Sequence, residues 1–165
     1  MIPIALILDN IRSTYNVGSI LRTADCFGVQ EIYFSGYTPY PISKADRRMP
    51  HIAKKLHEQI AKTALGAEST LPFSVFDTIA SAIDAAQLAG YKIIGIEQDT
   101  NSIPLDSYTF TQPSALILGN ELDGVNTWTK SRCDVILEIE QYGTKESLNV
   151  ANAAAIALYT TRTKT

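Results

Sequence analysis

The stretch Ala115-Leu116-Ile117-Leu118-Gly119-Asn120-Glu121-Leu122-Asp123-Gly124 decides how this chain is read. Four consecutive apolar residues make a strand covered on both faces, and strands of that kind belong to parallel sheets flanked by helices. The polar cluster that follows then lies outside the carboxyl end of a strand, where open α/β sheets hold their ligands. Two other clusters stand in the same relation to an apolar run: Asn16-Val17-Gly18-Ser19-Ile20-Leu21-Arg22 after Ile2 to Leu8, and Gly143-Thr144-Lys145-Glu146-Ser147-Leu148-Asn149-Val150 after Val135 to Ile139. Three such clusters in one chain predict a single composite site.

The rest of the chain alternates around them. Strands are expected over Ile2 to Leu8, Glu31 to Phe34, Phe73 to Phe76, Tyr91 to Ile96, Ala115 to Leu118 and Val135 to Ile139. Helical spacing covers Val17 to Phe27, punctuated by Gly28, and a helix from Ile79 to Leu88 takes Asp77 as its N-cap and stops at Gly90. A basic helix is placed from about Ala45 to His57, a short one from Asn126 to Arg132, and a last one from Ser147 to Tyr159. The expected fold is therefore α/β, a mostly parallel sheet with helices on both faces, in one domain over residues 1–165.

With 165 residues the chain can bury roughly 70% of the surface of its unfolded form. Apolar residues at 45% and charged residues at 19% are an ordinary globular composition. Cys26 and Cys133 stand far apart in sequence and are read as reduced thiols. The N-terminal apolar run has no basic flank and is too short to span a bilayer, so no membrane is expected and the cytoplasm is the default location.

The net charge of −3 argues against a protein that coats nucleic acid without selectivity, since such binding depends on clustered Lys and Arg. The average hides a cluster. From Lys44 to Lys62 six basic residues face two acids, locally +4 against −7 over the remainder. That segment reads either as a solvated helix face or as the face of a selective polyanion binder.

Several chemistries are missing. There is no GxxxxGK[ST], no GxGxxG after the first strand and no GxSxG, which removes the common nucleotide-triphosphate, dinucleotide and hydrolase signatures. His51 and His57, the only histidines, have no cysteine at ligand spacing, so no metal site is expected.

Together the three clusters resemble the SpoU-TrmH branch of the SPOUT RNA methyltransferases. The first is similar to that family's N-x-G-x-[IL]-x-R-[ST]-A segment through Asn16, Gly18, Ile20, Arg22, Thr23 and Ala24. The second resembles its strand-G-x-E-x-x-G segment through Gly119, Glu121 and Gly124. The third resembles I-P-M-x-G-x-x-x-S-L-N-V and the alanine-rich helix after it, through Ile139, Gly143, Ser147, Leu148, Asn149, Val150 and Ala153-Ala154-Ala155. Lys62-Thr63-Ala64-Leu65-Gly66-Ala67 is similar to a mid-domain stretch of the family. Glu140 and Gln141 depart from the pattern, standing where the family has Pro and Met, and this loosens the loop expected to wrap a cofactor. Asn152 and Ala153 resemble the single-domain tRNA branch, whereas the first two clusters resemble other tRNA and rRNA branches.

The resemblance implies a C-terminal deep trefoil knot (the SPOUT fold), S-adenosyl-L-methionine as cofactor, and methylation of a ribose 2'-hydroxyl in structured RNA, tRNA ahead of rRNA. The alternative is a non-catalytic knotted RNA-binding or scaffold protein. By the same resemblance the catalytic set is Arg22, Asn16, Glu121, Ser147 and Asn149, and the cofactor rests on Ile96, Gly119, Ile139, Ser147 and Leu148. Gly119 and Gly143 are read as permitting close approach of backbone to ligand, and residues around Ser147 as opening a helix whose N–H groups hold the methionine carboxylate. Arg22 would grip a phosphate and orient the hydroxyl, Asn16 would fix Arg22, Glu121 would anchor its loop or the substrate ribose, and Asn149 would tie the last helix to the first cluster. The family works as a homodimer, and the apolar helix from Leu148 to Tyr159 offers a surface for it. With no added RNA-binding domain expected, RNA falls to the Lys44 to Lys62 segment and the dimer cleft.

Overall fold

The computed structural model describes residues 1–164, Thr165 lying outside the described residues. Seven strands form one sheet: β1 (Ile4–Asp9), β2 (Glu31–Ser35), β3 (Phe73–Phe76), β4 (Lys92–Ile96), β5 (Ile103–Pro104), β6 (Ser114–Leu118) and β7 (Val135–Glu138). Every pairing is parallel, in the order β3-β2-β1-β6-β4-β7-β5.

The uninterrupted apolar runs have the cause expected of them. Ile4, Leu6 and Leu8 of β1, with Leu116 and Leu118 of β6, face one buried cluster, while Ala5, Ile7, Ala115 and Ile117 face a second on the other side. The first cluster is closed by α1 (Thr14–Cys26), α2 (Pro50–Ala64), α3 (Ala67–Thr70) and α6 (Val150–Thr163). The second is closed by Ala82, Ile83 and Ala86 of α4 (Ile79–Leu88) and by Val125 ahead of α5 (Thr127–Ser131).

Helix boundaries depart from the sequence reading where side chains intervene. The basic helix begins at Pro50, not at Ala45. Asp46 takes the Arg48 guanidinium and its backbone N–H, and Arg48 also donates to the carbonyls of Tyr40 and Pro41, which folds the chain before Pro50 into a loop. Pro50 then suits a helix start, because its φ is preset and its missing N–H has no partner there in any case. Thr78 rather than Asp77 caps α4, accepting from the Ser81 amide. α6 opens at Val150 with Asn149 as its cap and runs to Thr163, so Ser147 lies before the helix. The strand β5 and the single turn of α3 carry no periodic signal and are additions to the expected elements. Proline in β5 is tolerated because that strand is an edge of the sheet.

The chain winds from β1 outward to β3, then crosses to β4, and the two later strands fill the gaps, β6 between β1 and β4 and β7 between β4 and β5. Because all strands run the same way, their carboxyl ends share one edge, and segments far apart in sequence meet there.

Candidate functional site

The loop after β6 is held from three directions. Within it, Asn120 Oδ1 accepts from the amides of Leu122 and Asp123 at 2.8 and 3.1 Å, while Asn120 Nδ2 donates to the Asn10 carbonyl and the Tyr37 hydroxyl at 2.8 and 2.6 Å. Toward α1, Glu121 accepts from the amides of Arg12 and Ser13 at 2.9 and 3.1 Å and from Asn16 Nδ2 at 2.9 Å. Burial raises the Glu121 carboxyl, but the donors from Arg12, Asn16 and Ser13 outweigh it and the net shift is downward. From β4, Glu97 accepts from the Val125 amide at 2.7 Å and from the Gln98 amide at 2.9 Å.

The third cluster joins through a carboxamide. Asn149 Nδ2 donates to Asn16 Oδ1 at 3.1 Å, and Asn149 Oδ1 caps α6 by accepting from Ala151 at 2.9 Å. Asn149, Asn16 and Glu121 thus form one relay, linking the last helix, the first helix and the β6 loop. Asn149 ties the last helix to the first cluster as expected. Asn16, however, does not hold Arg22: both ends of its amide are engaged in the relay. Six positions along an α-helix also place Arg22 roughly 120° around the axis from Asn16. Arg22 is exposed, with no hydrogen-bond or ion-pair partner among the described residues.

A cleft of about 310 Å³ opens across the carboxyl ends of β4, β6 and β7. Ile96, Gly119, Ile139, Ser147 and Leu148 all line it, as does Glu121. Its size falls in the range of small-molecule sites, about 300–1,000 Å³. Glu97, Glu121, Asp123 and Glu146 are among its walls and no lysine, arginine or histidine is, so its electrostatics favour a positively charged guest. Among the described residues no group of three or more His, Cys, Asp or Glu is arranged to hold a metal ion.

The glycines also serve the packing of the site. A side chain on Gly119 would collide with the backbone of Gly124, so Gly119, which lines the cleft, also lets the two ends of the β6 loop approach each other. Gly143 has open space where a Cβ would stand. Gly18 lies inside α1, where a Cβ would strike Thr63 Oγ1 and the Ile60 carbonyl of α2. Thr63 also donates to the Tyr15 carbonyl at 2.9 Å, so the Lys62 to Ala67 stretch packs directly on the first cluster.

Of the two departures Gln141 lines the cleft, whereas Glu140 lies beside it and accepts from the Tyr142 hydroxyl at 2.7 Å. In the basic segment Arg48 is internal, its guanidinium 3.5 Å from the Tyr40 ring centroid and paired with Asp46. Lys44, Arg47, Lys54, Lys55 and Lys62 are exposed. Glu97 was not among the expected site residues; as a single acid after a strand it carries no pattern of its own. Both cysteines are free thiols, and burial pushes that of Cys133 up to about 11. No helix among the described residues is long and apolar enough to cross a membrane.

An all-parallel sheet with an acid-lined cleft across its carboxyl edge, its loop clasped to two helices, defines a small-molecule-binding α/β domain. The profile of the SpoU rRNA Methylase family matches residues 3–159, and the chain belongs to that family. It is 33% identical over 162 residues to the 23S rRNA (guanosine-2'-O-)-methyltransferase RlmB of Neisseria meningitidis serogroup B, covering 97% of this chain and 58% of the relative. Among solved structures it is similar to an AdoMet-bound rRNA methyltransferase from Sinorhizobium meliloti, with a TM-score of 0.82 at 23% identity over 98% of this chain and 56% of that one. It is also similar to the SpoU methyltransferase AviRb from Streptomyces viridochromogenes in complex with AdoMet, with a TM-score of 0.74 at 26% identity, covering 95% and 56% of the two chains. The chain spans a little over half the length of the curated relatives it matches.

Proposed function

We propose that this chain transfers a methyl group from S-adenosyl-L-methionine to a ribose 2'-hydroxyl of structured RNA. The observation that carries this reading is the Asn149–Asn16–Glu121 relay at the edge of the cleft, which joins all three clusters into one site. The names borne by its relatives support it, and so does the acid-lined cleft, whose charge suits a sulfonium. A non-catalytic scaffold would have no need to keep three polar side chains in this arrangement.

When bound, the cofactor supplies an electrophilic methyl carbon. Ile96, Leu118, Ile139 and Leu148 offer it an apolar wall, and the β6 loop offers backbone groups held by Asn120, Glu121 and Glu97. Transfer to oxygen then depends on holding the 2'-hydroxyl in line, and positioning of that kind accounts for several kcal/mol of barrier. A guanidinium such as that of Arg22 is a poor base. Its fork grips the adjacent phosphate, orients the hydroxyl and lets the proton pass to phosphate oxygen.

The chain acts as a homodimer in this reading, each site completed by Arg22 of the other subunit. Ile156 and Tyr159 support it: 40% and 60% exposed, they form an apolar stripe on the outward face of α6. The exposed cations of the Lys44 to Lys62 segment receive the RNA backbone, the C-terminal segments thread as the knot that the resemblance implies, and the protein works in the cytoplasm. Asn152 and Ala153, with part of the resemblance in the first two clusters, point toward tRNA, while the relatives named for 23S rRNA favour rRNA.

Incubation with methyl-tritiated S-adenosylmethionine and, separately, tRNA and ribosomal RNA tests the proposal. Label recovered as a 2'-O-methyl nucleoside from either RNA is the expected result. No incorporation together with no cofactor binding overturns it.

A further inference from the structure

Glu97 projects from the end of β4 into the wall of the cleft, and both its oxygens are spent on backbone: Oε2 on the Val125 amide at 2.7 Å and Oε1 on the Gln98 amide at 2.9 Å. The β6 loop is shaped around it. Gly124 has φ +63°, a left-handed conformation, and any Cβ there would run into the Glu97 carboxylate. Glu121 fastens the front of the same loop to α1 from within the loop, whereas Glu97 reaches in from a different strand to fasten its rear. Two residues on, Asp99 makes a second tie from the same segment, its Oδ2 2.6 Å from Lys130 Nζ on α5, but Asp99 does not line the cleft.

We infer that Glu97 is a positioning residue for the cofactor, acting through the β6 loop: its carboxylate holds the Gly124–Val125 peptide so that the backbone of Gly119 to Asp123 presents one fixed surface to the guest. This inference rests on the reading of the cleft as an S-adenosylmethionine site. A loop fixed beforehand loses less conformational freedom on binding, and that saving appears as affinity. Glu97 therefore sets the occupancy of the cofactor without touching RNA.

The test is titration calorimetry of S-adenosylmethionine into the wild-type chain and into Glu97→Ala, Glu97→Gln, Glu97→Asp and Asp99→Asn, with melting curves for each. Glu97→Ala is expected to weaken binding about tenfold or more. Glu97→Gln recovers most of that loss, since its amide oxygen still accepts from Val125 and the Gln98 amide turns to water. Asp99→Asn lowers the melting temperature yet leaves Kd within about twofold, which separates positioning from general stability. In turnover the KM for S-adenosylmethionine moves further than kcat, and the KM for RNA stays put.

Three results overturn the inference: Glu97→Ala binding within about twofold of wild type, Asp99→Asn weakening it equally, or Glu97→Gln as weak as Glu97→Ala, which would mean that the charge meets the cofactor directly. If Glu97→Ala does not fold, Glu97→Asp carries the same comparison, because one methylene less withdraws the carboxylate from Val125; unchanged binding there overturns the inference too. A wild-type chain that does not bind the cofactor overturns this inference and the cofactor reading together, whereas wild-type binding with indifferent variants overturns this inference alone.

Discussion

Asn149 Nδ2 lies 3.1 Å from Asn16 Oδ1, a contact across 133 positions of sequence that joins the cap of the last helix to the first turn of the first. The Asn16 amide passes the connection on to Glu121 at 2.9 Å. One carboxamide thus accepts from one cluster and donates to another, and the site's geometry depends on it.

Asn16→Ala is expected to cost more activity than Asn149→Ala, because it cuts both bonds and removes one of the donors to a carboxylate. A hydrogen bond to a charged group is worth about 1.5–3 kcal/mol, which corresponds to roughly ten- to a hundredfold in kcat/KM. The double variant Asn16→Ala/Asn149→Ala is expected to lose less than the sum of the two single variants, since the two residues share one bond while Asn149 adds only its cap of α6. Initial rates of methyl incorporation for the three variants measure this, and strictly additive losses count against the relay.

Two carboxyls, one half-buried and one buried, give opposite pH signatures. The Glu121 pKa is lowered in the folded chain, so its contribution to stability is present above the unfolded value near 4.5 and is lost as pH falls through the folded value. Asp9 is raised instead, by burial, with a bond from Ser35 Oγ at 2.9 Å working against the shift. It therefore destabilises the folded state when ionised, and protonation on acidification relieves that cost. Melting temperature against pH should lose part of its acid-side fall in Glu121→Gln, while Asp9→Asn should raise the melting temperature at pH 7.

Gly18→Ala should destabilise the chain by about 1–3 kcal/mol, the range for overpacking a filled interior. For a chain of this length each kcal/mol moves the melting temperature by about 2–4 °C. Adding Thr63→Ala recovers only part of the loss, because the Ile60 carbonyl remains in the way. Thermal denaturation of the single and double variants distinguishes this close helix approach from a mere turn glycine.

The basic residues should divide by role. Arg22→Ala leaves the melting temperature unchanged, since the side chain is exposed and unpartnered among the described residues, but lowers methyl transfer about a hundredfold through lost orientation. Arg48→Ala does the reverse, lowering the melting temperature by opening the Tyr40 to Asp46 loop. Lys55→Glu and Lys62→Glu weaken RNA binding and flatten its salt dependence, as expected when phosphate contacts are removed. Melting curves and filter binding at two salt concentrations sort the four variants.

The sheet was legible because buried parallel strands need apolar residues on both faces, and Ile4 to Leu8 and Ala115 to Leu118 have them without interruption, with Ile93, Ile94 and Ile96 broken only by Gly95. The site was legible as three clusters, and the structure brings all three to one edge. Less legible were the helix starts at Pro50 and Val150, which are decided by the Asp46–Arg48 pair and the Asn149 cap rather than by apolar period. The role of Gly119 was invisible for a similar reason, since the atoms it avoids belong to Gly124 folded back upon it.

Local pattern alone therefore determined the fold class, the polar clusters and the family resemblance, because each depends on residue types a few positions apart. Only the tertiary structure decided that Asn16 serves Glu121 and Asn149 instead of Arg22, that Arg48 is internal, and that Glu97 clasps the β6 loop. Apart from those of Arg48, whose partners lie 2 to 8 positions away in its own loop, these are contacts between segments 28 to 133 positions apart, and their partners are chosen by where parallel strands end in space. No spacing rule along the chain encodes that.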